Sequence, residues 1–356
     1  MNAKACSTVA PFPAQVEEVP CVVCGTETYE IICPASEVKV HHNYLRRFHM
    51  RRLHGGRPSK SDLTDRVEFT QNYATHIVAC TACGFVFRNP RPSRDAVTQT
   101  YAKDHYGHDH LATAFAGQLP LSRLKAQTFQ TWLPRRPCTR IVEVGSFAGS
   151  FLAVGQERGW SMLGIDPGQE VTAFCKERGL PVYRGSLDDA GLQPQSVDGV
   201  AIWNTFDQLP DPDAILETVQ CILRPDGVLV VRVPNGAFFR VAEEWIGQLP
   251  RLFSGWLLAA MAWNNLLAFP YLHGYSVASL DRLIGRHGMQ RVAVYPDTLM
   301  YLADGQTKAW AAWEEQAIKF SCRLLWSLER ARTGDSLCSP PWFDAYYRKR
   351  SMPAAC

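Results

Sequence analysis

Residues 140–151 read Arg-Ile-Val-Glu-Val-Gly-Ser-Phe-Ala-Gly-Ser-Phe. A short apolar run ends on an acid, turns through glycine and opens an amphipathic stretch. Asp166 closes the next apolar run, twenty-one residues after Gly145. Strand, glycine turn, helix, strand and acid, in that order, are how an α/β sheet builds a pocket for an adenosine-containing ligand.

The same alternation continues on both sides of this stretch. Ile141–Val144, Ser161–Ile165, Pro181–Tyr183, Val197–Trp203 and Gly227–Val233 read as strands. Ser150–Arg158, Gln169–Arg178 and Ala214–Leu223 read as the helices between them. Such alternation predicts a parallel sheet with helices on both faces. Val277–His287 then reads as a helix and Arg291–Tyr295 as a strand, so the sheet is expected to continue past residue 235.

The turn admits two kinds of adenosine cofactor. A dinucleotide needs Gly-x-Gly-x-x-Gly, because its pyrophosphate rests on the helix N-terminus. Here only Gly145 and Gly149 occupy the turn, and Phe147 stands where a middle glycine would be. A bulky residue there suits a ligand without a pyrophosphate. Glu143, just before the turn, suits S-adenosylmethionine, which carries a sulfonium and an ammonium group. Asp166 would accept both ribose hydroxyls.

The chain here resembles the class I S-adenosylmethionine-dependent methyltransferases. Glu143-Val-Gly145-Ser146-Phe147-Ala-Gly149 matches their first motif, with Phe147 replacing its usual middle glycine, and Gly164-Ile-Asp166-Pro matches the second acid. Gly185-Ser-Leu187-Asp188 stands where the family places its adenine-contacting turn. Ser196-Val-Asp-Gly-Val-Ala-Ile-Trp203-Asn204 matches the fourth strand, and Leu223-Arg-Pro-Asp-Gly-Val-Leu-Val-Val231 the fifth. The resemblance implies a Rossmann-like sheet over residues 138–300, with Glu143, Gly145, Ser146, Phe147, Gly149, Asp166, Leu187, Asp188, Trp203 and Asn204 around the cofactor. The family often has Glu-His before a Leu-Pro-Asp-Pro run; here the run is Asp207-Gln208-Leu-Pro-Asp-Pro212. An amide does not titrate near neutrality, so Gln208 cannot replace a histidine base.

Two Cys-x-x-Cys-Gly knuckles precede this domain, Cys21-Val-Val-Cys24-Gly and Cys80-Thr-Ala-Cys83-Gly. Four thiolates suit one tetrahedral, closed, structural zinc. Their separation implies an insert that loops out of a zinc-binding domain spanning 21–92. Cys83-Gly-Phe-Val-Phe-Arg-Asn-Pro-Arg-Pro92, with Tyr101-Ala-Lys-Asp-His-Tyr106 after it, resembles a methyltransferase subset that bears such a domain. Some sugar-modifying C-methyltransferases belong to that subset.

The remaining segments are a loose N-terminus (1–20), a helical connector (93–137), a substrate lid around 236–276 and a mixed C-terminal extension ending in helices (301–356). In the insert, residues 39–60 contain Lys39, Arg46, Arg47, Arg51, Arg52, Arg57, Lys60 and four histidines, with no acid. Tyr44, Leu45, Phe48 and Leu53 would form an apolar stripe, leaving a solvated basic face. An anionic acceptor such as a nucleotide-linked sugar is the second reading of that face. Nucleic acid or protein is the third, and a net charge of +3 gives nucleic acid little support. His41 and His42 are left unassigned, since four cysteines already complete a zinc site.

From Leu252 to Leu272 no residue carries a formal charge. Asn264 and Asn265 interrupt the run, so a buried helix, lid or dimer face is expected, with surface membrane association as the alternative to a span. No apolar run follows Lys4, so no signal peptide is expected, and twelve cysteines suggest thiols or metal ligands in a reducing cytoplasm.

Methyl transfer needs an in-line approach at roughly 3–3.5 Å, and a base only when the acceptor must lose a proton. Candidate catalytic groups are Asp207, His273 and Tyr106, with His105 and Tyr275 beside them. The expected protein is a methyltransferase acting on a small-molecule acceptor, an anionic carbohydrate or secondary-metabolite precursor. A non-catalytic module that binds S-adenosylmethionine is the alternative suggested by Phe147 and Gln208.

Overall fold

In the computed structural model, residues 16–54, 75–103, 106–297, 307–333 and 339–349 are described. His105, Arg57 and Lys60 lie outside them.

The valine-rich runs are buried on both faces and therefore become central strands. The small N-terminal lobe contains β1 (Val16–Glu17), β2 (Tyr29–Cys33), α1 (Ala35–Arg52), β3 (Ile77–Cys80), β4 (Val86–Arg88) and β5 (Arg91–Pro92). Two helices follow, α2 (Arg94–Ala102) and α3 (His108–Trp132). The main domain then alternates: β6 (Arg140–Val144), α4 (Ser150–Glu157), β7 (Ser161–Asp166), α5 (Gln169–Glu177), β8 (Val182–Arg184), β9 (Val197–Trp203), α6 (Pro212–Ile222) and β10 (Leu223–Pro234). The C-terminal part supplies α7 (Gly236–Ile246), α8 (Arg251–Trp263), β11 (His273–Gly274), α9 (Val277–Arg286), β12 (Met289–Asp297), α10 (Ala309–Thr333) and β13 (Trp342–Lys349).

The main sheet has the order β12-β13-β10-β9-β6-β7-β8. Strands β10, β9, β6, β7 and β8 pair in parallel, and β13 runs antiparallel to both β10 and β12. The expected α/β sheet is present. The helical reading of 301–356 needs one correction: Ala309–Thr333 is helical, but Trp342–Lys349 returns as β13 into the interior of the sheet. The reason is a period of two. Phe343, Ala345 and Tyr347 enter one core cluster, while Tyr346 enters the other. An eight-residue run with this alternation buries fully only between two strands.

Helix α3 also does more than connect. Ala126 and Phe129 pack with Ile141 and Tyr346 against the sheet. Of the stretch expected as a lid, Ala259–Asn264 and Leu266–Tyr275 are buried, whereas Trp245, Leu252 and Phe253 are exposed. Arg88 on β4, itself buried, donates to the carbonyls of Ala268, Phe269 and Tyr271 and so satisfies this irregular backbone. Among the described residues no helix is long and apolar enough to cross a membrane.

Near the carboxyl end of β10 lies a buried group of four charges. Arg232 Nε donates to Asp297 Oδ2 at 2.5 Å and stands 3.8 Å from Asp344 Oδ1. Lys125 Nζ from α3 reaches Asp297 at 2.8 Å and also bonds Asp344. One helix and three strands are thereby joined with no net charge. Burial would raise the Asp297 carboxyl, but the two cations hold it at about 2.

Removing one partner of such a group leaves buried charge uncompensated, which costs about 3–5 kcal/mol. Asp297→Asn should therefore lower the unfolding free energy by about that amount in urea titrations near neutral pH. The sign with pH follows from the depressed carboxyl. Its contribution is complete above an unfolded value of about 4 and is lost as pH falls towards about 2. The gap between wild type and Asp297→Asn should close over that window.

Candidate active site

The turn after β6 carries three successive left-handed positions on alternate residues: Gly145 (φ 76°), Phe147 (φ 43°) and Gly149 (φ 79°). Gly145 needs to be glycine twice over. Its φ is one that L side chains avoid, and a Cβ would lie 2.0 Å from Thr205 Oγ1. Phe147 adopts the left-handed form without glycine. Its ring packs edge-on to Tyr106 at 5.1 Å, and Asp166 Oδ2 accepts its amide at 3.0 Å. Contacts thus hold a backbone conformation that costs on the order of 1–3 kcal/mol.

Two acids stand at the carboxyl ends of β6 and β7. Glu143 is buried, and its Oε2 makes no hydrogen bond. Desolvation, then the charge of Asp166, raises its carboxyl well above the usual range. Asp166 is partly exposed and accepts from Phe147 N and, at 2.9 Å, from Gly168 N. Nearby, Ser146 Oγ and Trp203 Nε1 are buried without hydrogen bonds. Unpaired buried polar atoms are costly unless a ligand meets them. Glu143, Ser146 and Trp203 therefore form an edge suited to a cationic, hydrogen-bonding molecule.

The other sequence-selected residues are distributed around this edge. Asn204, at φ 54°, accepts from Arg232 and so hangs from the four-charge group. The side chain of Leu187 is in the core, and Asp188 is exposed and bonded to Thr218 of α6. Tyr106 stands over the glycine turn, its ring against Phe147.

Asp207 and His273 do come together. Asp207 sits in a 3-10 turn after β9, and its carbonyl accepts the amide of Leu272, next to His273 on β11. The Asp207 side chain is fully buried, and neither carboxylate oxygen makes a hydrogen bond. Burial pushes its carboxyl to about 7, with Arg232 lowering it only in part. His273 Nε2 lies 3.5 Å from Arg91 Nη1, and its Nδ1 lies 3.4 Å from the Tyr275 hydroxyl. Burial and then Arg91 drive its imidazole down to about 3, so it is neutral at ordinary pH. The same burial thus moves the two groups in opposite directions, the Asp207 carboxyl up and the His273 imidazole down.

The two knuckles converge. Cys21 Sγ is 3.6 Å from Cys83 Sγ and Cys24 Sγ is 3.5 Å from Cys80 Sγ, and all four sulfurs lie within 4.8 Å of one another. Tetrahedral thiolates at about 2.3 Å from zinc would be about 3.8 Å apart. Gly25 and Gly84 take φ 74° and 70°, closing each loop back on its first cysteine. The insert helix α1 buries Leu45 and Phe48 and turns Lys39, Arg46, Arg47 and Arg51 to solvent, while Arg52 Nε donates to Glu314 Oε2 at 2.6 Å. Sequence reasoning missed Arg232, Lys125, Asp297 and Asp344, since no local spacing marks charges brought together from four elements.

A family model described as a methyltransferase domain matches residues 108–293, from the start of α3 into β12. The "C-methyltransferase NovU" of Streptomyces niveus is 28% identical over 99 residues, 26% of this chain. That match spans only 24% of the relative's length. Among solved structures, a chain from the complex between the Haloferax volcanii Trm112 methyltransferase activator and a putative methyltransferase aligns with TM-score 0.44. It is 16% identical, covering 68% of this chain and 97% of that one. The Haemonchus contortus phospholethanolamine N-methyltransferase 2 aligns with TM-score 0.44 at 13% identity, covering 74% of this chain and 62% of that one.

An Asp207 carboxyl raised to about 7 makes a pH-dependent prediction. Ionising it costs the folded state more than the unfolded, so the penalty is absent below about pH 4 and complete above about 7. Asp207→Asn should therefore match wild-type stability at pH 4 and exceed it at pH 8, measured by urea denaturation at both. Equal stability at pH 8 would mean that the carboxylate already has a partner.

Proposed function

The chain belongs to this methyltransferase family, and on that premise we propose that it transfers the methyl group of S-adenosylmethionine to a carbon of a small-molecule acceptor. What carries the reading is the glycine turn with its edge of unpaired buried polar atoms. When bound, S-adenosylmethionine would supply an electrophilic methyl on a sulfonium. Glu143 and Ser146 would hold its amino-acid part, Asp166 its ribose, and Leu187 and Asp188 would border the adenine. Trp203 and Asn204 would close the side towards the acceptor. Gly145 and Gly149 let the backbone approach, and Phe147 with Tyr106 would cover the turn and exclude water.

Asp207 would act as the base. A carboxyl near 7 is half ionised at neutral pH and is a stronger base than an ordinary aspartate. It would take a proton from the acceptor, whose carbon then attacks the methyl. His273, held between Arg91 and Tyr275, would position the wall beside Asp207. Carbon as the acceptor atom is suggested by the name of the Streptomyces niveus relative. A sugar or secondary-metabolite precursor bearing an anionic group fits the acceptor class, because Arg46, Arg47 and Arg51 leave a basic face open. We further propose that Cys21, Cys24, Cys80 and Cys83 hold one structural zinc, which fixes the lobe carrying Arg91 and β4 against β11.

Gly145→Ala should abolish binding of S-adenosylmethionine, read as lost heat in calorimetry, with the fold checked by circular dichroism. Binding with unchanged affinity would refute the pocket. Asp207→Asn should leave that affinity within about twofold yet lower the rate of acceptor methylation by about 10²–10⁴-fold. An unchanged rate would remove Asp207 from the chemistry.

A further inference from the structure

The unassigned His41 acquires partners that its neighbouring sequence does not suggest. Cys33 ends β2, His41 lies on the inner face of α1, and Glu243 comes from α7, some two hundred residues later. Cys33 and His41 are buried, and the Glu243 side chain is only 7% exposed. Cys33 Sγ stands 3.9 Å from His41 Nδ1, and His41 Nδ1 stands 3.6 Å from Glu243 Oε1. All three donor atoms lie within 4.8 Å of one another.

Hydrogen bonding holds this cluster only loosely, the Cys33–His41 contact of 3.9 Å lying near the outer limit for sulfur. A nitrogen–oxygen separation of 3.6 Å is beyond hydrogen-bond range, and Glu243 Oε1 has no hydrogen-bond partner. A buried carboxylate oxygen without a partner carries a large desolvation cost. Metal coordination fits the distances better. With bonds of about 2.3 Å to sulfur and about 2.1 Å to nitrogen and oxygen, tetrahedral neighbours would be about 3.4–3.6 Å apart. The observed separations exceed these by a few tenths of an ångström.

We propose that Cys33, His41 and Glu243 form a second metal site, for a zinc ion, separate from the four-cysteine cluster. The donor set of thiolate, imidazole and carboxylate suits borderline-soft zinc better than magnesium or calcium, which take oxygen ligands. Among the described residues no fourth histidine, cysteine or acid joins the three within that distance, which leaves the fourth tetrahedral position to a solvent ligand. The ion joins the insert helix α1 and the lobe strand β2 to α7. The other end of α7 touches the acceptor wall: a Cβ on Gly236 would lie 2.3 Å from the Gly274 carbonyl. The site thus clamps the basic insert onto the helix that leaves β10 for that wall.

The test is metal content of the full chain, loaded with Zn²⁺, desalted and measured by mass spectrometry. Wild type should hold two equivalents, and Cys33→Ser and Glu243→Gln should each hold one. If the four-cysteine site is empty, wild type should hold one equivalent and both variants none, which keeps the two sites distinguishable. Variants that retain the wild-type content overturn the proposal. Replacement by Co²⁺ gives a reading on wild type alone. Two equivalents are expected, one with the intense sulfur-to-metal band of four thiolates and one with the weaker band of a single thiolate. A single equivalent showing only the four-thiolate spectrum overturns the proposal even if the variants fail to fold.

Discussion

The paired charges of Lys125, Arg232, Asp297 and Asp344 hold the parts of the main domain in one arrangement. Arg232 is 1% exposed. A guanidinium taken from water to that depth is tolerable only with anions placed against it. Asp297 ends β12, Asp344 lies on β13 and Lys125 comes from α3, so the charge balance requires all three elements to be docked. The four groups also reach the candidate site. Arg232 donates to Asn204, which follows β9 in a left-handed conformation. The register of the outer strands is thereby transmitted to the carboxyl edge where the ligand would sit.

That edge combines two kinds of strain. At Gly145 and Gly149 the chain uses glycine to reach conformations and contacts closed to other residues. At Phe147 and Asn204 it reaches the same region with ordinary residues, held by packing and hydrogen bonds. Beside them are polar atoms left unpaired in the interior: Glu143 Oε2, Ser146 Oγ, Trp203 Nε1 and both oxygens of Asp207. Strain and unsatisfied polarity concentrated in one place are what a fold tolerates where a ligand completes it.

Much of this was legible in the sequence. The valine-rich runs, the glycine turn and Asp166 lie within short segments whose periodicity reflects local geometry, so the parallel sheet and the turn after β6 could be read directly. The two cysteine knuckles were legible for the same reason, each being a closed local turn. Strand β13 was not, because the eight residues Trp342–Lys349 carry a two-residue period too short to stand out beside a long helix. Nor were the charge group and the Cys33–His41–Glu243 cluster, whose members come from separate elements. Asp207 was marked by its place after the fourth strand, but the burial that moves its carboxyl towards 7 comes from tertiary packing that its local sequence does not show.

The contrast between Asp207 and His273 shows how one environment separates two titratable groups. Both are fully buried within a few residues of the same backbone hydrogen bond. Desolvation disfavours the charged form of each, which raises the acid to about 7 and lowers the imidazole to about 3. The histidine, the usual residue for proton transfer near neutrality, is thereby excluded from it, and the aspartate is brought into range. Gln208, an amide, does not titrate near neutrality, whereas burial raises the carboxyl beside it. The neutral imidazole keeps a different use. Bracketed by Arg91 from the N-terminal lobe and Tyr275 beyond β11, it couples the cysteine-bearing lobe to the turn that carries the acid.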